Sequence, residues 1–85
     1  MTYKVVILRK AVKQLETLPP KDYRAIKLKI LSLGGNPRPH NCKKLKGRDG
    51  FRIRHGNYRI IYDIRDEILT VRIITIGNRK NVYKK

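Results

Sequence analysis

Between Phe51–His55 and Tyr58–Ile64, two stretches rich in β-forming residues, lies the pair Gly56-Asn57, whose residues both accept positive φ. A two-residue turn there predicts a hairpin and fixes its register: His55 opposite Tyr58, Ile53 opposite Ile60, and Phe51 opposite Tyr62. Side chains alternate along strands, so Phe51, Ile53, Tyr58, Ile60 and Tyr62 share one face, and Arg52, Arg54 and Arg59 share the other. Arg54 then faces Arg59 directly. Like charges opposed across strands cost some tenths of a kcal/mol, up to about 1, and nothing in local propensity favours the arrangement. Converging guanidinium forks are suited to phosphate, which they hold at two points while remaining charged. The plainer reading is that an exposed sheet face must be polar anyway.

The remaining pattern surrounds this hairpin with one α+β domain. Tyr3–Leu8 reads as a strand. Leu8, Ala11, Leu15 and Leu18 recur at helical spacing up to Pro19-Pro20, and Tyr23, Ile26, Ile30 and Leu33 repeat that spacing up to Gly34-Gly35-Asn36-Pro37. Residues 36–50 read as a loop with a short strand around Lys44–Leu45. Ile68–Ile76 forms a last strand, and a tight turn at Asp66-Glu67 would put Leu69, Val71 and Ile73 on the core face and Arg72 on the arginine face beside Ile61. The polar tail 77–85 has room for one helical turn. The predicted order is β-α-α-β-β-β: a helical hairpin packed on one face of a small, mainly antiparallel, twisted sheet.

At 85 residues the chain has material for a single core, so residues 1–85 are expected to form one domain. Its 22 Lys and Arg against 6 Asp and Glu give a formal charge of +16, a field that collects polyanions by counterion release and that an acidic partner would relieve. With 40% hydrophobic residues the chain folds rather than forming a disordered basic tail. Cys42 stands alone, which excludes an internal disulfide or a thiolate zinc site and points to a reducing compartment, the cytoplasm. The apolar run Val5–Leu8 is too short for a signal-peptide core or a membrane span. His40 has no second ligand at helical spacing, so no metal is expected, and the register places His55 away from the arginines. Asp63 and Glu67 suit salt bridges or turns better than a two-carboxylate mechanism. Lys43, Lys44 and Lys46 either track an RNA backbone or form a solvated loop. Tyr3, Tyr23, Tyr58 and Tyr62 occupy core positions.

Taken together, Lys44-Leu45-Lys46-Gly47, Phe51-Arg52-Ile53-Arg54, Gly56-Asn57-Tyr58-Arg59-Ile60-Ile61-Tyr62, and the ending Ile76-Gly77-Asn78-Arg79 with Tyr83 resemble the RelE/ParE toxin superfamily over nearly the whole chain. The resemblance implies a toxin of a type II toxin-antitoxin system, held by a cognate acidic antitoxin that folds on its surface. In the RelE branch it implies a ribosome-dependent endoribonuclease, an mRNA interferase that cuts mRNA in the A site and inhibits translation. It needs no metal or cofactor, and it meets mRNA and 16S rRNA through its basic surface, away from membranes. The implied reaction is attack of a ribose 2'-OH on its own 3'-phosphate, giving a 2',3'-cyclic phosphate. The implied catalytic residues are Arg52, Arg54, Arg59, Arg79 and Tyr83. Arg59 and Arg79 would stabilise transition-state charge, Arg52 and Arg54 would bind phosphate, and Tyr83 would stack on a base or move a proton. Lys43, Lys44, Lys46 and Arg72 would contact RNA. Where RelE-type chains often carry lysine, this chain has Arg52 and Arg54, which are poor proton acceptors. Two alternatives keep the fold: a ParE-like inhibitor of DNA gyrase and a catalytically silent RNA-binding module.

Overall fold

A computed structural model describes residues 2–78. Its elements are β1 (Lys4–Ile7), α1 (Arg9–Glu16), α2 (Pro20–Ser32), β2 (Lys43–Lys44), β3 (Phe51–His55), β4 (Tyr58–Arg65), a 3-10 turn (Asp66–Ile68) and β5 (Thr70–Asn78). The strands form one sheet in the order β1-β5-β4-β3-β2, parallel between β1 and β5 and antiparallel elsewhere.

At eight residues α1 is too short to hold itself in water, so its stability comes from burying Ala11 and Leu15. Pro19-Pro20 ends it, and Pro20, which has no N–H to leave unsatisfied, occupies the first turn of α2. Ile26, Ile30 and Leu33 then face the same layer as Ile53, Ile60, Tyr62, Val71, Ile73 and Ile76, so helices and sheet share one core. Where α2 ends, the chain passes close to β1. Tyr3 N–H donates to Gly34 O at 2.7 Å, and a Cβ on Gly34 would stand 3.0 Å from Tyr3 O.

The β3-β4 hairpin has the register expected from its turn, pair for pair from Phe51↔Tyr62 to His55↔Tyr58. Positive φ falls on Gly56 and not on Asn57, the pattern of a type II′ turn. The next connection departs from expectation. Instead of a tight turn at Asp66-Glu67, the chain makes a 3-10 turn and returns through Leu69 at φ 47°, so that Arg65 pairs with Thr70. This register lies two residues from the expected one, an even shift that leaves Val71 and Ile73 in the core. Leu69 is instead left 37% exposed on the turn, and Arg72 lies opposite Asp63 rather than Ile61. A one-residue bulge at Ile74 then brings Ile76 rather than Thr75 into the core beside Ile60. Two smaller differences are that β2 spans Lys43–Lys44 rather than Lys44–Leu45, and that Gly77 and Asn78 belong to β5 rather than to a tail. The rest of that tail, with the helical turn expected there, lies outside the described residues.

Two polar ties hold the loop segments. The buried Tyr62 hydroxyl donates to Pro37 O at 2.8 Å, and burial pushes this phenol far above its ordinary pKa. Tyr3 O–H donates to Asp66 Oδ1 at 2.6 Å while Arg38 grips the same carboxylate through both guanidinium nitrogens, joining β1, the loop after α2 and the 3-10 turn. The hydrogen bonds from Arg38 and Tyr3 hold Asp66 below the usual carboxylate range.

Candidate anion-binding site on the outer sheet face

With the helices covering one face, the other collects what alternation sends there: Lys43 from β2, Arg52 and Arg54 from β3, and Arg59, Ile61 and Asp63 from β4. Lys43 lies opposite Arg52, and Arg54 lies opposite Arg59. Four cations thus occupy three adjacent strands at the hairpin end. Arg52 and Arg59 are half-buried and Arg54 is exposed. The Nε atoms of Arg52 and Arg59 are buried and have no acceptor among the described residues. An unpaired buried donor costs about 1–3 kcal/mol, so the fold carries these two at a price in stability. A groove of 210 Å³ runs beside them, lined by Asn41, Lys43, Arg52, Ile53 and Arg54. On β3, Lys29 Nζ of α2 reaches Arg54 O at 3.4 Å, adding a further cation behind the strand edge.

The expected site residues divide. Arg52, Arg54, Arg59 and Lys43 come together. Arg72 shares the face, but Asp63 holds it: its Nε–H donates to Oδ1 at 2.9 Å and a terminal nitrogen donates to Oδ2. This two-point hydrogen bonding from Arg72 keeps the Asp63 carboxyl below its ordinary range, and Arg65 approaches the same carboxylate at 3.9 Å. The outer face therefore places its one carboxylate, with Arg72 and Arg65, at the end away from the hairpin, while among the described strand residues the charged side chains at the hairpin end are all cationic. Lys44 pairs with Phe51, at the border of a separate 270 Å³ cleft that includes Arg38, Asp49 and Arg65. Lys46 lies exposed in the loop between β2 and β3. Arg79 and Tyr83 lie outside the described residues; the last described pairs of β5, Gly77↔Arg59 and Asn78↔Tyr58, lie alongside the start of β4.

Other candidates separate from this cluster. His55 pairs with Tyr58 on the helix-facing side, His40 is exposed in its loop, and Cys42 packs half-buried against the core. Among the described residues no three His, Cys, Asp or Glu side chains gather as metal ligands, and no helix is long and apolar enough to cross a membrane. A larger cleft of 490 Å³ opens between α1 and the ends of β4 and β5, beside Gln14, Leu18, Tyr58 and Asn78, with no cation among the described residues that line it. Sequence reasoning missed Asn41 in the groove and the Asp63–Arg72 pair; the latter is legible only once the length of the β4-β5 turn is known.

The sequence pattern of the family described as ParE toxin of type II toxin-antitoxin systems matches residues 5–83. A relative from Methanocaldococcus jannaschii named RelE1 is 34% identical, over 99% of this chain and 98% of its own length. Among solved structures, the archaeal RelE–RelB complex from Pyrococcus horikoshii contains a chain 33% identical to this one, at a TM-score of 0.83, covering 93% of this chain and 97% of that one. The RelBE2 toxin–antitoxin complex from Mycobacterium tuberculosis gives 30% identity and the same TM-score over 93% of both chains.

Proposed function

This chain belongs to the RelE/ParE superfamily of toxins from type II toxin–antitoxin systems, and from that premise we propose that it is a RelE-type endoribonuclease that cuts mRNA on the ribosome. The observation that carries the reading is the pair of buried Nε atoms on Arg52 and Arg59, without an acceptor among the described residues, beside Arg54 and Lys43 on the neighbouring strands. A protein that inhibits by binding another protein has no need of buried Nε donors left open on Arg52 and Arg59, whereas a phosphodiester supplies acceptors for them.

The chemistry follows from where charge develops. As a ribose 2'-oxygen bonds to its own 3'-phosphorus, the phosphorus gains a fifth substituent and its equatorial oxygens gain negative charge. The bond to the 5'-oxygen then breaks, leaving a 2',3'-cyclic phosphate and a 5'-hydroxyl. One proton leaves the 2'-hydroxyl and one reaches the departing 5'-oxygen. Donors already fixed against the sheet stabilise the added charge without reorganising, which is why their cost in the resting fold is tolerated. Arg59 and Arg79 are assigned to the transition-state charge, Arg52 and Arg54 to holding the phosphate, and Tyr83 to stacking on a base or proton transfer. Permanently charged arginines cannot take the 2'-proton, so in this chain proton transfer falls to a group other than Arg52 or Arg54.

The partner that restrains this activity is proposed to be an acidic antitoxin, because a +16 surface favours a counter-charged segment folding on it. Mapping mRNA 5' ends during in vitro translation, with and without ribosomes, tests the function. New ends that require ribosomes and vanish with Arg59→Ala are the expected result. Intact mRNA together with blocked DNA supercoiling would overturn it in favour of a ParE-like gyrase inhibitor.

A further inference from the structure

Asp63 is the sole acid among the described strand residues, and it stands on the same face as the arginines. Ile61 lies opposite Arg52, so Asp63, two residues further along β4, is the diagonal same-face neighbour of Arg52. Such neighbours lie about 7–8 Å apart at Cα, within the span of an arginine side chain. The carboxylate is thus a counter-charge within reach of Arg52, whose Nε has no acceptor among the described residues. Instead Arg72, its direct partner on β5, donates to both of its oxygens and so fixes the orientation of the carboxylate, with Arg65 3.9 Å from Oδ2. Arg72 Nε and a terminal nitrogen make a fork matched to the carboxylate, a geometry that a diagonal approach to Arg52 would have to displace.

We propose that Arg72 is a positioning residue for the RNA site: by holding Asp63 at two points, it keeps the one acid of the sheet from closing onto Arg52. The inference rests on the reading of Arg52 as an RNA-phosphate ligand. It also gives Arg72 a role different from direct RNA contact, since its guanidinium is already committed. The sheet thus separates an acid from its nearest functional cation by giving the acid a dedicated partner on the opposite strand.

The test uses a single-stranded RNA oligonucleotide carrying 2'-O-methyl groups, which the protein cannot cleave, with affinity measured across salt concentrations. Each phosphate contact to single-stranded RNA contributes about 0.7 to the slope of log K against log salt. Arg72→Gln removes the two-point partner and leaves only Arg65, 3.9 Å from Asp63 Oδ2, in competition, so Asp63 captures Arg52, the slope flattens by about 0.7 and the Arg52 Nε–H resonance in the NMR spectrum moves to a hydrogen-bonded position. Lys10→Gln on the exposed face of α1 removes the same charge and leaves both readouts at wild-type values. Adding Asp63→Asn to Arg72→Gln restores the wild-type slope. A double variant as weak as Arg72→Gln alone would show Arg72 contacting RNA itself and would overturn the proposal, as would an unmoved Arg52 resonance in Arg72→Gln. Should Arg72→Gln fail to fold, Asp63→Asn alone decides: a slope at or above wild type is expected, and a flatter one refutes the idea. Failure of the underlying reading looks different, because RNA binding would then be indifferent to Arg59→Ala.

Discussion

Replacing Arg59 by methionine should make the fold more stable while removing its affinity for phosphate. Methionine is unbranched and of similar reach, so it fills the half-buried channel that the arginine stem occupies. Two costs disappear with the guanidinium. Opposition to Arg54 accounts for some tenths of a kcal/mol, up to about 1. The buried Nε, without an acceptor among the described residues, accounts for about 1–3 kcal/mol. Allowing for lost contacts of the guanidinium plane, a net gain of about 1–2 kcal/mol is expected. For a domain of this size each kcal/mol moves the midpoint by roughly 4–8 °C, so Arg59→Met should melt about 4–16 °C higher. Thermal and urea denaturation measure this. Salt separates the two costs, since screening weakens the Arg54–Arg59 repulsion but leaves the buried donor unsatisfied. Added inorganic phosphate should raise the wild-type midpoint more than that of the variant, because only the wild type presents the complete site. A variant melting at or below the wild type would refute the claim that Arg59 is held in the fold at a cost.

Three other perturbations probe the frame that carries the site. Tyr62→Phe leaves Pro37 O without its donor inside the core and should cost about 1–3 kcal/mol in urea unfolding. Gly34→Ala places a methyl 3.0 Å from Tyr3 O and 3.3 Å from Val5 Cγ2, so β1 must shift from the end of α2; a loss of about 1–3 kcal/mol is expected by the same assay. Asp63 titrates below the usual carboxylate range because Arg72 hydrogen-bonds its charged form, so its contribution to stability is complete above the unfolded-state pKa near 4 and is lost as pH falls through the lower folded value. Urea midpoints followed below about pH 4 should therefore fall less steeply for Asp63→Asn than for the wild type, and parallel acid limbs would contradict the pairing.

The outer-face arginines were legible in sequence because one short turn determines them. A two-residue connection at Gly56-Asn57 admits a single register, and alternation does the rest, so the opposition of Arg54 and Arg59 follows before any coordinates. The β4-β5 connection carries no comparable instruction. Asp66-Glu67 can close at several lengths, and the bend is completed by Leu69 at φ 47°, a conformation that an apolar side chain does not advertise. Because the error was an even number of residues, Arg72 kept its face and changed only its neighbour, from Ile61 to Asp63. The bulge is hidden for another reason: in Ile73-Ile74-Thr75-Ile76 several isoleucines could serve the core, and only the packed sheet selects Ile73 and Ile76. Arg38 reaches Asp66 from a loop, across a separation to which no sequence periodicity applies.

Arg59, whose buried Nε has no acceptor among the described residues, is the group of this sheet assigned to stabilising the cleavage transition state. Single-turnover cleavage of ribosome-bound mRNA, compared between wild type and Arg59→Ala at saturating protein, tests that assignment most directly. The expected cut ends bear a 2',3'-cyclic phosphate and a 5'-hydroxyl, and the expected rate is about 10²–10³-fold lower for the variant, the scale set by removing one preorganised donor to a developing oxyanion. An unchanged rate in Arg59→Ala, with the same ends, would contradict it.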